Sequence, residues 1–142
     1  MKKFISLMLL LCVFTMTAYS KNITSGDEAL DESLNSLTEQ VKDNPDDFIK
    51  TNLAVRFNQP FDKLINLLKK DKFEVSEIFI ISYLSASLNK DLDSVIKEFA
   101  SNKGNLSKFL EIYKIKKGTK EYKKFLKASI NIHPKPFIPK VK

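Results

Sequence analysis

Apolar residues recur along most of this chain at steps of three and four, which is the period of an amphipathic α-helix. Residues 53–65 align without a gap on residues 84–96, at an offset of 31 residues, and the similarity continues to residue 115. The offset places Asn58 on Asn89, so that a polar break falls at the same point in both copies. A repeat of fixed period indicates architecture, and this one predicts two tandem helix-turn-helix units.

Residues 76–88 are predicted to form the central helix that both units share. Apolar residues occupy nearly every side of this segment, as expected for a helix covered by its neighbours. A β-strand over residues 75–81 is the competing prediction, because β-branched residues cluster there. Helix is favoured, since the matching residues of the second copy have helical spacing. Ser76 is the expected cap of this helix.

Short polar breaks separate the other helices. Asn58 and Asn89 are interpreted as turn residues that cap the helices after them. Asp62 and Asp93 fall at the second residue of those helices, where a carboxylate complements the helix dipole. The predicted fold class is all-α, a small helical domain of about six helices built from two tandem helix-turn-helix-like repeats.

Residues 1–20 have the layout of a secretory signal peptide. Two lysines precede an apolar run over residues 4–16, and Ala18 and Ser20 are small residues before a cut after Ser20. The run is short for a bilayer span, which needs about 20 residues. The alternative is an uncleaved anchor or a buried N-terminal helix. The favoured localisation is therefore periplasmic or secreted, by a Sec-type signal.

The side chains that most often carry catalysis or bind metals are scarce. Cys12, the one cysteine, lies within the apolar run, and Leu11 before it is not the small residue of a lipoprotein signal. The mature chain would thus have no thiol nucleophile, disulfide or thiolate metal site. His133, the one histidine, stands next to a proline in the tail. We therefore expect a protein that is not an enzyme and that has no catalytic residues, metal site or cofactor.

Residues 21–43 predict a separate acidic amphipathic helix. Ser25 and Glu28 have the spacing of a capping box at its start. The favoured interpretation is a helix packed loosely on a helical repeat domain at residues 44–130. The alternative is a detachable helix that docks on the basic end of the chain or pairs with another copy. Its narrow apolar stripe comprises Leu30, Leu34, Leu37 and Val41.

Charge is distributed unevenly along the chain. The net charge is +7, or +5 without the two lysines of the signal peptide. Residues 21–47 hold eight carboxylates against two lysines, whereas ten lysines from Lys114 onward face Glu121 alone. This asymmetry predicts self-association or an acidic or anionic partner in the envelope. A merely solvated helix surface is the alternative. The candidate partner-binding basic face comprises Lys116, Lys117, Lys120, Lys123, Lys124 and Lys127.

Residues 131–142 form the last segment of the chain. Three prolines between residues 134 and 139 forbid a helix and predict an extended, Pro/Lys-rich tail.

The repeat unit also has the outline of a DNA-binding helix-turn-helix. The exposed positions of its candidate recognition helices offer lysine, serine and asparagine, but no arginine or glutamine for reading base edges. The predicted export signal further disfavours nucleic acid as a partner. A helix-turn-helix-like nucleic-acid-binding protein is the alternative function if the signal peptide is misread.

The motif Leu53-x3-Phe57-Asn58-x2-Phe61-Asp62, its second copy and the closing Gly118-Thr119 step resemble a pattern in uncharacterised secreted bacterial proteins. That group usually has an aromatic residue soon after a glycine, where this chain has Asn105-Leu106. The resemblance implies a tandem helical repeat and no known activity. The favoured function is an exported, non-catalytic binding or structural module.

Overall fold

The structure, a computed structural model, describes residues 23–140, and within them the chain is all-α, as predicted. The predicted signal peptide, residues 1–20, lies outside the described residues. Seven α-helices and one π-helical segment follow in order: α1 (Glu28–Val41), α2 (Pro45–Phe48), π1 (Ile49–Ala54), α3 (Phe61–Lys69), α4 (Val75–Ser87), α5 (Leu92–Ser101), α6 (Leu106–Ile112) and α7 (Lys120–Asn131).

Helix α4 is the centre of the fold. Its successive residues Ile78, Phe79, Ile80 and Ile81 have no exposed surface. Helices α1, α3 and α5 and segment π1 all pack on it. A helix that is apolar on every side is stable only when neighbours cover it in this way. The prediction of a central helix is confirmed, and the competing strand is wrong.

The start of α4 differs from the prediction. Ser76 lies inside the helix, where its hydroxyl accepts a hydrogen bond from Thr38 of α1 at 2.9 Å. Glu74 is the residue that precedes the helix, and its backbone N–H donates to the Glu77 carboxylate at 2.9 Å. The glutamate three residues along thus satisfies a backbone donor that the helix itself leaves free.

Two left-handed asparagines end the helical segments before α3 and α5. Asn58 and Asn89 both have φ 50°. In each turn the next N–H bonds to the carbonyl five residues earlier, at 2.9 Å, which closes the preceding helical segment. Neither asparagine caps the following helix, because Pro60 precedes α3 and the side chain of Asp91 caps α5. They are turn residues, but the capping part of the prediction is wrong.

Helix α1 shares the core of the rest of the domain. Leu30, Leu34 and Leu37 have no exposed surface and belong to the same hydrophobic cluster as α4. The helix packs against both α4 and α7. Complete burial of the stripe favours a helix integral to the fold over a detachable one.

The predicted capping box at the start of α1 is wrong. Asp27 is the N-cap residue, and its carboxylate accepts the N–H of Leu30 at 3.1 Å. Ser25 instead bonds through its backbone N–H to the Asp31 carboxylate at 2.6 Å. An aspartate directly before the first helical turn is among the preferred caps, so the local sequence did contain this signal.

The tail after α7 lies on α1 and has no regular secondary structure up to residue 140. The N–H of Lys135 lies 3.4 Å from Gln40 Oε1, and the N–H of Lys140 lies 3.2 Å from Glu32 Oε2. Within residues 23–140, no helix has the length and apolar character needed to cross a membrane.

Candidate functional site

Helix α7 is fixed to the core by one side. Phe125 has no exposed surface and stacks on Phe79 of α4, with ring centroids 6.0 Å apart and planes inclined by 10°. Ser129 is also fully buried, with its Oγ 3.0 Å from Ser33 Oγ of α1. These two contacts determine which side of α7 faces solvent.

The opposite side of α7 is a row of lysines. Residues at steps of three and four share one face of a helix. All four side chains are exposed, and none takes part in the ion pairs formed by the described part of the chain. This row, called the lysine row below, comprises Lys120, Lys123, Lys124 and Lys127. Lys116 and Lys117 are exposed in the connection just before the helix.

Lys117 has a partner within the molecule, unlike the lysine row. Its Nζ lies 2.9 Å from Oδ2 of Asp27, the residue that caps α1. Burial by itself would raise the pKa of Asp27, but hydrogen bonds from Lys117 and Leu30 outweigh it and hold that pKa below its usual value. Lys117 therefore connects the segment before α7 to the N-cap residue of α1, through an ion pair whose lysine is itself largely exposed.

Two tyrosines close to the basic residues belong to the core. Tyr122 and Tyr113 are each only 7% exposed. Burial raises the pKa of Tyr122, and the nearby Asp27 carboxylate raises it further. Burial and the hydrogen bond to Glu98 likewise raise the pKa of Tyr113. Neither phenol is available to a partner at the lysine row.

His133 and Ser33 form the pair most similar to a catalytic one. His133 Nε2 lies 3.2 Å from Ser33 Oγ. A nucleophilic serine needs access to substrate and a base oriented by a third group. Ser33 has no exposed surface, and His133 Nδ1 is buried without a hydrogen-bond partner among the described residues. The pair holds the tail on α1. Burial lowers the pKa of His133, partly offset by Ser33.

Helix α3, which the sequence predicts as a recognition helix, has two ion-paired lysines. Lys63 Nζ lies 2.6 Å from Oδ2 of Asp93 on α5, and Lys69 pairs with Asp46 of α2. Charges already paired with carboxylates contribute less to phosphate binding than free ones. This surface is therefore weaker as a polyanion site than the lysine row.

Metal-binding side chains do not cluster in residues 23–140: no three of His, Cys, Asp and Glu lie close enough to share an ion. The sequence predicted the exposure of the basic residues but missed the link between Asp27 and Lys117. No signal in the sequence joins those two residues, because the contact depends on how α1 and α7 pack. No protein-family model, curated protein or solved structure matches this chain.

Proposed function

We propose that this protein is an exported, non-catalytic binding module that attaches to anionic lipid headgroups of the cell envelope through the lysine row. The observation that carries the proposal is the row itself: four exposed lysines on one side of a helix whose other side is fixed in the core. None of the four is neutralised by a carboxylate in the described part of the fold.

The expected strength of membrane attachment follows from the number of lysines in the row. A lysine near an anionic membrane contributes about 1 kcal/mol. Four of them give roughly 4 kcal/mol, which corresponds to a dissociation constant of about 1 mM. Attachment by the row alone would therefore be weak and reversible. It would also fall as salt is added, because the screening length is only about 8 Å at physiological ionic strength.

The kind of partner follows from the side chains. Lysine is a compact point charge without the planar fork that lets arginine recognise one phosphate bidentately. From Lys120 to Lys127 the row extends roughly 10 Å along the helix, at 1.5 Å per residue. Such a row suits a plane of headgroups better than a single phosphate in a pocket.

Nucleic-acid binding through the helix-turn-helix units is the alternative function. It has less support, because both lysines paired on α3 would first have to leave Asp93 and Asp46. Self-association is the other candidate, in which the lysine row of one copy meets the acidic residues of α1 in a second. Sedimentation at low and high salt would detect that dimer.

Export is a separate part of the proposal and rests on residues 1–20. Expression of the full chain with a C-terminal tag, followed by fractionation and intact mass measurement, tests it. We expect a periplasmic or medium fraction whose mass begins at Lys21. A cytoplasmic protein that retains Met1 would contradict export and favour the nucleic-acid alternative.

Membrane attachment is tested by co-sedimentation of the processed chain with vesicles. We expect pelleting with vesicles containing phosphatidylglycerol at low salt, none with pure phosphatidylcholine, and loss of pelleting at high salt. Absence of pelleting with both vesicle types would contradict the proposal. Binding to soluble polyphosphate without binding to vesicles would also contradict it and indicate a polymer as the partner.

A further inference from the structure

A cavity of about 120 Å³ lies between α4, α5 and the start of α6. Ile80, Phe99 and Leu106 give it apolar walls, and Ile23 and Thr24 from the segment before α1 close one side. No residue of α7 lines it, so the cavity is separate from the lysine row and independent of the proposed function.

One charged side chain lines this cavity. Glu77 on α4 is only 4% exposed. Its one side-chain hydrogen bond within residues 23–140 comes from the backbone N–H of Glu74, and no cation there pairs with it. A carboxylate can accept several hydrogen bonds, and a buried charge is costly unless it is paired. Glu77 therefore has unused capacity for a positively charged donor.

A second acceptor lines the same space. Asn102, the residue directly after α5, donates from Nδ2 to the carbonyl of Glu98 at 2.9 Å. A carbonyl can only accept, so this bond fixes the orientation of the amide and leaves Asn102 Oδ1 as an acceptor. Both acceptors belong to residues that line the cavity. A ligand that matches them must donate hydrogen bonds.

The surroundings of the cavity are also negatively charged. Burial raises the pKa of the neighbouring Glu74 carboxyl, and the charge of Glu77 raises it further. The charge of Lys103, whose Nζ lies 4.4 Å from the ring centroid of Phe73, lowers the pKa of Glu74 by less than these two effects raise it. A cationic ligand would relieve the repulsion between the two carboxylates, whereas an anionic one would add to it.

We propose that this cavity binds a small organic cation, a primary ammonium on a compact apolar body, with the ammonium at Glu77 and the apolar body against Ile80, Phe99 and Leu106. The volume of about 120 Å³ suits a ligand slightly smaller than benzene, which a cavity of about 150 Å³ holds. A calcium ion fits less well, since it takes about six to eight oxygen ligands and Glu77 is the one carboxylate that lines the space.

Isobutylamine is the probe, and isobutanol is its neutral counterpart of nearly equal shape. Titration of the folded protein, followed by the NMR signals of the Ile80 and Leu106 methyl groups, gives a dissociation constant for each. We expect millimolar binding of isobutylamine and at least tenfold weaker binding of isobutanol. This comparison needs no substitution, so it holds even if a variant fails to fold.

Two substitutions test which of the two carboxylates, Glu77 or Glu74, binds the ammonium group. Glu77→Gln retains the shape and an acceptor for the Glu74 N–H, and we expect it to weaken isobutylamine binding at least tenfold. Glu74→Gln removes the neighbouring carboxylate, which does not line the cavity, and should weaken binding only a few-fold. Equal affinity for amine and alcohol, no methyl shifts with either, or an equal loss in both variants would each overturn the proposal.

Discussion

Lys117 Nζ lies 2.9 Å from Asp27 Oδ2, so the beginning of the basic segment is bound to the beginning of the acidic helix. Helices α1 and α7 pack side by side, which brings the acidic and basic ends of the sequence together within one molecule. The asymmetry of charge in the sequence is therefore partly satisfied internally. The exposed lysine row takes part in none of the ion pairs formed by residues 23–140, so its charge stays available to a partner.

The first prediction concerns Asp27. Its folded pKa is below the usual value, so its contribution to stability is complete above about pH 4 and is lost as the pH falls through the folded pKa. Asp27→Ala should lower the free energy of unfolding by about 1–2 kcal/mol at neutral pH, through loss of the cap. Urea unfolding of parent and variant between pH 7 and pH 2 measures this difference in the free energy of unfolding.

The control is Asp43→Ala, at an exposed position with no ion pair in the described residues. A difference that stays constant down to pH 2 would contradict this role.

The second prediction tests whether α1 is integral to the domain. Leu34→Ala removes a fully buried side chain and should cost about 2–5 kcal/mol, because the cavity cannot close completely. The matched control on the same helix is Glu39→Ala, an exposed position that should change stability by no more than about 0.5 kcal/mol. Chemical unfolding of both variants measures this. Equal stability of the two would mean that α1 is detachable.

The third prediction concerns the two left-handed asparagines. An L-residue with a β-carbon is disfavoured in this conformation, asparagine less so, and glycine not at all. Asn58→Ala and Asn89→Ala should each cost about 1 kcal/mol, whereas the glycine variants should be at least as stable as the parent. Thermal unfolding of the four variants is the measurement. Alanine variants as stable as the glycine variants would show that neither turn requires positive φ.

The fourth prediction concerns His133, whose titration is unambiguous because the chain has one histidine. Burial lowers its folded pKa below 6.5, so the fold disfavours the charged imidazole. Stability should therefore be complete above pH 6.5 and decrease as the pH falls through the folded pKa. NMR titration in buffer and in urea compares folded and unfolded values. A folded value equal to the unfolded one would show that the tail is not docked on α1.

The spacing of apolar residues in the sequence predicted the helices well, because the buried side of a helix recurs at steps of three and four residues. The stripe of α1 and the uniform apolarity of α4 both correspond to buried positions. Helix starts were predicted less well at Ser25 and Ser76, because several acceptors lie within a few residues and packing selects among them.

Contacts between distant segments could not be predicted from one sequence. His133 appeared to belong to a free tail, but it is half-buried beside Ser33. The cavity at Glu77 was also missed, since its lining comes from four separate segments. Glu77 can be interpreted as a capping residue from the sequence, and it does accept the N–H of Glu74 at the start of α4. Its burial, however, depends on the packing of α5 and α6.

The most direct test of the central proposal is charge reversal within the lysine row. Lys123→Glu/Lys124→Glu should weaken binding to phosphatidylglycerol vesicles by at least about tenfold, at about 1 kcal/mol per lysine lost. The control, Lys50→Glu/Lys97→Glu, makes the same change of net charge at exposed lysines on π1 and α5, which form no ion pair among residues 23–140. We expect the control to bind nearly as well as the parent. An equal loss in both double variants would mean that net charge alone, and not the lysine row, determines attachment.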